Sequence, residues 1–555
     1  MSSLLLVDDN TQILDFYRLV LEQAGHQVLT AETCDRAVAL LAETDPEIVI
    51  MDLRVPDMAD GLGLIRTLKD RVRPQGRTRA KVIVISGWTE DLFETPEKDS
   101  VDCVLSKPVR MEMLLRSIAR LALMVVLCLA SVRWLSAQTF RFSVKSRSEV
   151  VANLEMSSPG SNWSENGREA ALATLVVDGR TPQHVMLYAG DINYAYAAFL
   201  GELAPGEHEL RVERDARFSA QESGLRVLKT SFAAVAPGDP GWAALAHAPI
   251  LYARANTIGR FDDIPLLSYC ERLEEDGHPL LQYTVIFSNE DGGTSTRALM
   301  ARWGRTTDVE YIYRAWLDAN GDVTRATIQA EDHKEVAFRG QREGSHPILI
   351  PSTDNNMVAD QGTSPIRYQI PPYLMDLSAH SREQIMDEHP IAYRVMAQEL
   401  QREKKLRPFG VVDGEKSSDP RNYLYVEAKV VNRDSGVAVL VRLRGEDRWF
   451  SSHLGRNDYA ISRDGWVRTT VELRPGTKAE QIDEIGFECL VSTEDRPEPP
   501  LAGTCRVEQV SKMFFLDEEY RPGPSVWNLT MPVEIQAGQL RTFAGVTRGL
   551  SRPGR

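Results

Sequence analysis

The chain has 555 residues, 43% of them apolar and 26% charged, with a formal net charge of −15. Single cores rarely exceed roughly 250–300 residues, so several domains are implied, and the composition is that of folded protein. The acidic balance argues against a nucleic-acid surface, and six cysteines without CxxC spacing argue against a thiolate zinc framework.

From the amino terminus, strands and helices alternate. Leu4–Val7 reads as a strand. Thr11–Ala24 repeats apolar residues at helical spacing (Ile13, Tyr17, Val20, Leu21, Ala24) before Gly25, which can stop it. Gln27–Leu29, Ile48–Met51, Lys81–Ile85 and Val101–Leu105 read as further strands, and Asp35–Thr44, Gly61–Asp70 and Met111–Leu121 as helices. Near-continuously apolar strands in a βα repeat imply an α/β doubly wound, five-stranded parallel sheet covered on both faces. Polar residues then fall at the strand ends, where open α/β folds place their sites: Asp8 and Asp9, Asp52, Ser86, and Lys107 with Pro108. Three carboxylates suit a hard divalent cation; a hydroxyl and an ammonium suit an anion. Singly, Asp8 reads as a helix cap, Ser86 as a loop hydroxyl and Lys107 as a solvated charge. Together they describe phosphoryl transfer.

The segments LLLVDDN, IVIMDLRVPDM, VIVISG and VLSKPV resemble, in order and spacing, the four signature segments of the receiver domain of two-component response regulators. The resemblance covers residues 1–122. It implies that Asp52 takes a phosphoryl group from a sensor histidine kinase or phosphotransfer protein. Lys107 would then pair with the phosphoaspartate, and the Ser86 hydroxyl would hydrogen-bond it. It further implies Mg²⁺ held by Asp9, Asp52 and the backbone carbonyl of Arg54, with Asp8 acting mainly through bound water. A cis Lys107–Pro108 bond, a cytoplasmic location, and no enzymatic activity beyond the domain's own phosphorylation and dephosphorylation also follow from it. Two departures stand out. Val104 occupies a position usually aromatic, and Pro96 falls in Thr89–Ser100, where a fourth helix is expected. Both lie on the face that usually signals, which predicts an altered readout. One extra residue also falls between Pro56 and Gly61.

Residues 121–138 form a seam. The apolar run Leu121–Val132 is about 12 residues, short of the ~20 that span a hydrocarbon core but the length of a signal-peptide core. Arg116 and Arg120 precede it, and Leu135-Ser136-Ala137 resembles a cleavage site. Three arrangements fit. One is a membrane anchor with everything after about residue 138 periplasmic or extracellular. Another is a gene fusion whose exported part begins near Met111, and the third is a buried helix between soluble domains.

Beyond the seam the periodicity becomes strand-like, giving predominantly β, sandwich-like regions with some α+β. Residues 139–230 read as a sandwich, and LAPGEHELRV resembles the closing hairpin of Ig-like or PEGA-like domains. Residues 231–405 mix strands with a helix over Ile385–Leu400, capped by Ser381 and interrupted at Pro390; the block is similar to Vps62-like proteins. There Asp308, Glu310, His333, His346 and Asp354 are candidate metal donors without a supporting spacing, and Asp318–Asp322 reads as a hairpin turn rather than a calcium loop. In residues 406–545, Leu424, Val426, Ala428 and Val430 share one strand face. IDEIGFECLV and CRVEQVSKMFFLD resemble the last strands of jelly-roll carbohydrate-binding modules. Trp449, Phe450, Tyr459 and Trp466 either form a glycan platform or belong to the core. Cys489 and Cys505 either pair across a sheet or stay reduced. The second functional reading is therefore an exported β-rich envelope or glycan-binding protein joined to a receiver. No helix-turn-helix, kinase or cyclase motif supports a nucleic-acid or enzymatic output.

Overall fold

The computed structural model describes residues 3–70, 80–86, 92, 95–107, 109, 111, 113–115, 117–118, 121, 137–290, 292–411, 415–491 and 503–546. The chain divides into two compact units, Met1–Leu135 and Ser136–Arg555.

The first unit runs β1 (Ser3–Val7), α1 (Thr11–Gln23), β2 (Gln27–Ala31), α2 (Cys34–Glu43), β3 (Ile48–Asp52), α3 (Met58–Asp70), β4 (Lys81–Ser86) and β5 (Cys103–Ser106). The strands form one parallel sheet in the order β2-β1-β3-β4-β5. Strand alternation sorts their apolar residues onto two covered faces. Leu5, Val7, Val49, Met51, Val82 and Val84 pack in one cluster with α2 and α3 residues, and Leu4, Leu6, Ile48, Ile50, Ile83 and Ile85 in another with Leu14 and Leu21 of α1. Each such side chain stabilises the fold by about 1.5–3 kcal/mol on burial.

Helix ends follow from local chemistry. Asn10, rather than Asp8, caps α1, its Oδ1 accepting from Gln12 N and Ile13 N at 3.0 and 3.3 Å. Gly25 follows the C-cap at φ +87°, the left-handed conformation that ends helices. Met58–Asp60, before Gly61, lie in the first turn of α3, which is tied by Asp60 N donating to Asp57 Oδ1 at 3.0 Å. Gly61 is required there, since a Cβ would lie 2.0 Å from the Leu53 carbonyl oxygen.

Where a fourth helix was expected, Pro96–Ser100 forms a 3₁₀ turn, tied to α3 by Arg66 Nε donating to Glu97 Oε1 at 2.6 Å. The described residues of the last helix bury Leu114, Ile118 and Leu121 and half-bury Leu115. Pro108 and residues 122–136, with the predicted cis bond and most of the seam, lie outside the described residues. Among those described, no helix is long and apolar enough to cross a membrane.

The second unit is mostly antiparallel β. β6 (Gln138–Val144), β7 (Ser148–Ser157), β8 (Leu172–Val177), β9 (Gln183–Met186), β10 (Tyr194–Leu203), β11 (Gly206–Arg214) and β12 (Arg226–Val235) make two sheets, β10-β7-β12 and β6-β11-β8-β9. A six-stranded sheet follows, with Asp308–Leu317, His278–Phe287 and Pro265–Glu275 at its centre. Asp318–Asp322 is the hairpin turn into Val323–Ala330, its Asp318 Oδ1 accepting from Asn320 N and Asp322 N. The predicted long helix is two, Gln384–Glu388 and Ile391–Arg402, and Pro390 caps the second, where its missing N–H costs nothing. Ser381 does not cap; its N–H and hydroxyl both donate to Glu427.

The carboxy-terminal strands form two further sheets, one containing Gly465–Glu472, Tyr423–Arg433 and Thr504–Phe514, the other Trp449–Ser451, Ser435–Leu443, Ile482–Val491 and Leu540–Ala544. Cys489 and Cys505 form a disulfide joining one sheet to the other. One hydrophobic cluster runs from Val144 through Tyr269 and Tyr393 to Phe514, so the three sequence segments share a core.

Candidate functional site

β1 and β3 are neighbours, yet the connection after β1 goes to β2 and the connection after β3 goes to β4. The chain thus leaves the two strands in opposite directions, opening a crevice at their carboxyl ends. Asp8 follows β1, Asp52 closes β3, Ser86 closes β4, and Lys107 follows β5. Lys107 Nζ donates to Asp52 Oδ2 at 2.8 Å and to Asp8 Oδ2 at 3.2 Å. Its own N–H donates to the Ser86 carbonyl at 2.9 Å, which locks the end of β5 beside β4. Burial works against the Lys107 ammonium, but the hydrogen bond to Asp52 and the charges of Asp8 and Asp52 raise its pKa above the usual lysine value.

Asp8 and Ser86 are buried, Asp52 is half-buried and Asp9 is exposed. Asp8 Oδ1 accepts from Asn10 N at 2.9 Å, and Arg54 N donates to Asp52 Oδ1 at 3.3 Å, so the Arg54 backbone passes beside the acceptor carboxylate. The structure therefore brings Asp8, Asp52, Ser86 and Lys107 together, with Asp9 at the rim. The three carboxylates do not place oxygens mutually within 4.8 Å; Lys107 Nζ bridges Asp8 and Asp52, while Asp9 is exposed. One ammonium against three carboxylates leaves an excess of negative charge, and every candidate side-chain donor is a hard oxygen; both fit a small divalent cation. Tyr17, read from sequence as a core position on α1, is a neighbour that sequence reasoning missed. Burial raises its pKa, Lys107 opposes, and Asp8 and Asp52 add to the rise.

In the second unit the proposed donor set does not converge. Glu310 and His333 meet only through Gln329 Nε2, Asp308 accepts from Asn356, His346 lies against Ala248 and Glu149, and Asp354 pairs with Arg254. Among the described residues the carboxylates that do converge are Asp262, Glu399 and Glu403, and there Arg402 supplies the cation, contacting Glu399 and Asp262.

The four aromatics do not form one platform either. Phe450 is in the sandwich core and Tyr459 packs under Ala298 and Ala301, both rings buried. Trp449 lies under Arg442, and Trp466 donates its indole N–H to the Ser378 carbonyl at 3.1 Å.

Residues 4–119 match the family described as "Response regulator receiver domain". Among curated relatives, the transcriptional regulatory protein KdpE of Mycobacterium tuberculosis is 35% identical over 113 residues, covering 20% of this chain and 47% of that protein. PilH of Pseudomonas aeruginosa is 29% identical over 119 residues, 21% of this chain and 95% of that protein. The chain thus spans about half the length of the first relatives it matches. A receiver-domain structure from Methylobacillus flagellatus is 24% identical, covers 22% of this chain and 98% of its own, and superposes with a TM-score of 0.20. The chain carries a response-regulator receiver domain at its amino terminus, followed by a mostly β region.

Proposed function

We propose that the first unit is a phosphorelay receiver in which Asp52 takes a phosphoryl group from a phosphohistidine donor. The observation that carries this is the Lys107 bridge between Asp52 and Asp8 at the crevice. An Asp52 carboxylate oxygen attacks phosphorus as the phosphorus–nitrogen bond breaks, and the donor imidazole leaves with that electron pair. Lys107 then pairs with the phosphoryl oxygens, and the Ser86 hydroxyl donates to them. Asp8, Asp9, Asp52 and the Arg54 carbonyl would hold Mg²⁺, which supplies neutralisation of the charge that gathers on the transferring oxygens. The unit turns over only its own phosphoryl group, and it is cytoplasmic. Val104 and the 3₁₀ turn at Pro96–Ser100 alter the readout rather than the chemistry. Acetyl phosphate with Mg²⁺ should add one phosphoryl group, read by mass spectrometry. Label retained in Asp52→Ala, or none in the parent chain, would end this assignment.

A second reading is favoured by the Cys489–Cys505 disulfide, since such bonds persist in oxidising compartments. In it the second unit works outside the cytoplasm, anchored or cleaved near Leu121–Val132, as an envelope protein. A carboxy-terminal tag recovered only in the cytoplasmic fraction, with both thiols alkylatable, would exclude it.

A further inference from the structure

The central six-stranded sheet has two unlike faces. Cys270, Tyr283, Val285 and Ile312 point into the hydrophobic core on one side. Alternation puts Tyr269 and Glu271, Gln282 and Thr284, and Tyr311 on the other, in register: Tyr269 opposite Thr284, Glu271 opposite Gln282, and Thr284 opposite Tyr311. A polar face of this kind usually meets solvent. Here it is the floor of a cavity of about 470 Å³, within the size range of small-molecule sites.

The roof comes from two other parts of the unit. His380 and Arg382 lie on the segment before the Gln384–Glu388 helix, and Arg463 and Trp466 on the carboxy-terminal sandwich. The roof is held in place. Glu427, fully buried, accepts from His380 Nδ1, Ser381 N and Ser381 Oγ at 3.1, 3.1 and 2.9 Å, and the Trp466 indole is fixed on Ser378.

The charge balance at the roof is uneven. Glu383 pairs with Arg305 at 3.2 Å and lies 3.7 Å from Arg382. Among the described residues Arg463 has no carboxylate within 4.0 Å, and its guanidinium rests over the Trp303 ring. Burial lowers the Arg463 pKa to about 9; Glu383 opposes this, and Arg382, Arg305 and Arg302 add to it. On the floor, Glu271 accepts from Gln282 Nε2 at 2.9 Å, and burial raises its pKa above the usual glutamate value.

We propose that this cavity binds an acidic sugar residue, with its carboxylate on Arg463 and Arg382 and its ring against Trp466. Its hydroxyls fall on the polar sheet face. A guanidinium lacking a carboxylate partner, an anchored indole and a row of hydrogen-bonding groups are what a polyhydroxy carboxylate needs and what a plain inorganic anion does not. The assignment depends neither on Asp52 phosphorylation nor on export, so either reading above can fail without it.

Isothermal titration of the full chain with galacturonate and glucuronate, against galactose, glucose and inorganic phosphate, tests it. At least one acidic sugar should bind at least about tenfold more tightly than its neutral counterpart and than phosphate, the worth of one charge-assisted contact. Arg463→Gln should abolish that preference, Arg463→Lys should keep part of it, and Trp466→Ala should weaken acidic and neutral sugars alike. Equal binding of acidic and neutral sugars, phosphate binding as tightly as either acid, an unchanged preference in Arg463→Gln, or no binding at millimolar sugar would overturn it.

Discussion

The two units place charged side chains inside protein for opposite ends. In the first, Asp8, Asp52 and Lys107 meet at a crevice mouth, where the ions stay within reach of a reactant. In the second, one set of charges is sealed between layers. Arg468, fully buried, donates to Asp387 at 2.8 Å and to Glu427 at 3.0 Å, and Lys512 and Tyr393 complete the network. Arg305 with Glu383 and Arg407 with Glu472 repeat the pattern. Breaking a buried pair of this kind leaves an uncompensated charge.

The difference can be broken most directly at Arg468. Arg468→Ala should destabilise the second unit by about 3–5 kcal/mol in urea unfolding and leave Asp52 labelling intact. A loss below about 1 kcal/mol would place the network nearer to an exposed surface pair.

Acid is the next largest lever. Burial raises the Glu427 pKa, but Arg468 and Lys512 outweigh it and hold it at about 2. The stabilisation is therefore complete above the ordinary glutamate value and is lost as pH falls from about 4.5 toward 2. The loss is about 3 kcal/mol at roughly 1.4 kcal/mol per unit. Glu427→Gln should flatten that arm of the stability–pH curve.

Reducing Cys489–Cys505, which closes a loop of sequence separation 16, should cost the second unit a comparable or slightly smaller amount, about 3 kcal/mol. The first unit, whose described cysteines Cys34 and Cys103 are free thiols, should not respond; dithiothreitol titration of both unfolding transitions distinguishes them.

The smallest effect on folding belongs to the site itself. Lys107→Ala should change stability by less than about 1 kcal/mol, its pairs being partly solvated, while markedly slowing labelling of Asp52 or shortening the lifetime of the label. A large stability loss there would erase the contrast between the units.

The first unit was legible because each site residue ends an apolar run, so strand position alone brings Asp8, Asp52, Ser86 and Lys107 to one edge. Tyr17 was hidden because a phenol on an amphipathic helix reads as core. In the second unit, alternation over Tyr423–Arg433 revealed the face of Leu424, Val426, Ala428 and Val430 and said nothing of what covers Tyr425 and Glu427 on the other. Both are fully buried, because residues 380–393 cover that side. A strand's second covering is contributed by chain far away in sequence, and nothing in the strand's own pattern announces it. The same limit concealed the cavity beneath Trp466, whose floor and roof come from three segments far apart in the sequence, around residues 269–311, 377–383 and 463–466.

The Cys489–Cys505 bond has one more effect, on what a protease leaves behind. It closes a covalent ring through residues 490–504, so a single backbone cut within that ring releases nothing. Strands Ile482–Val491 and Thr504–Phe514 would still migrate as one chain until a reductant opened the second link. For this protein an intact band on a non-reducing gel is no proof of an intact backbone.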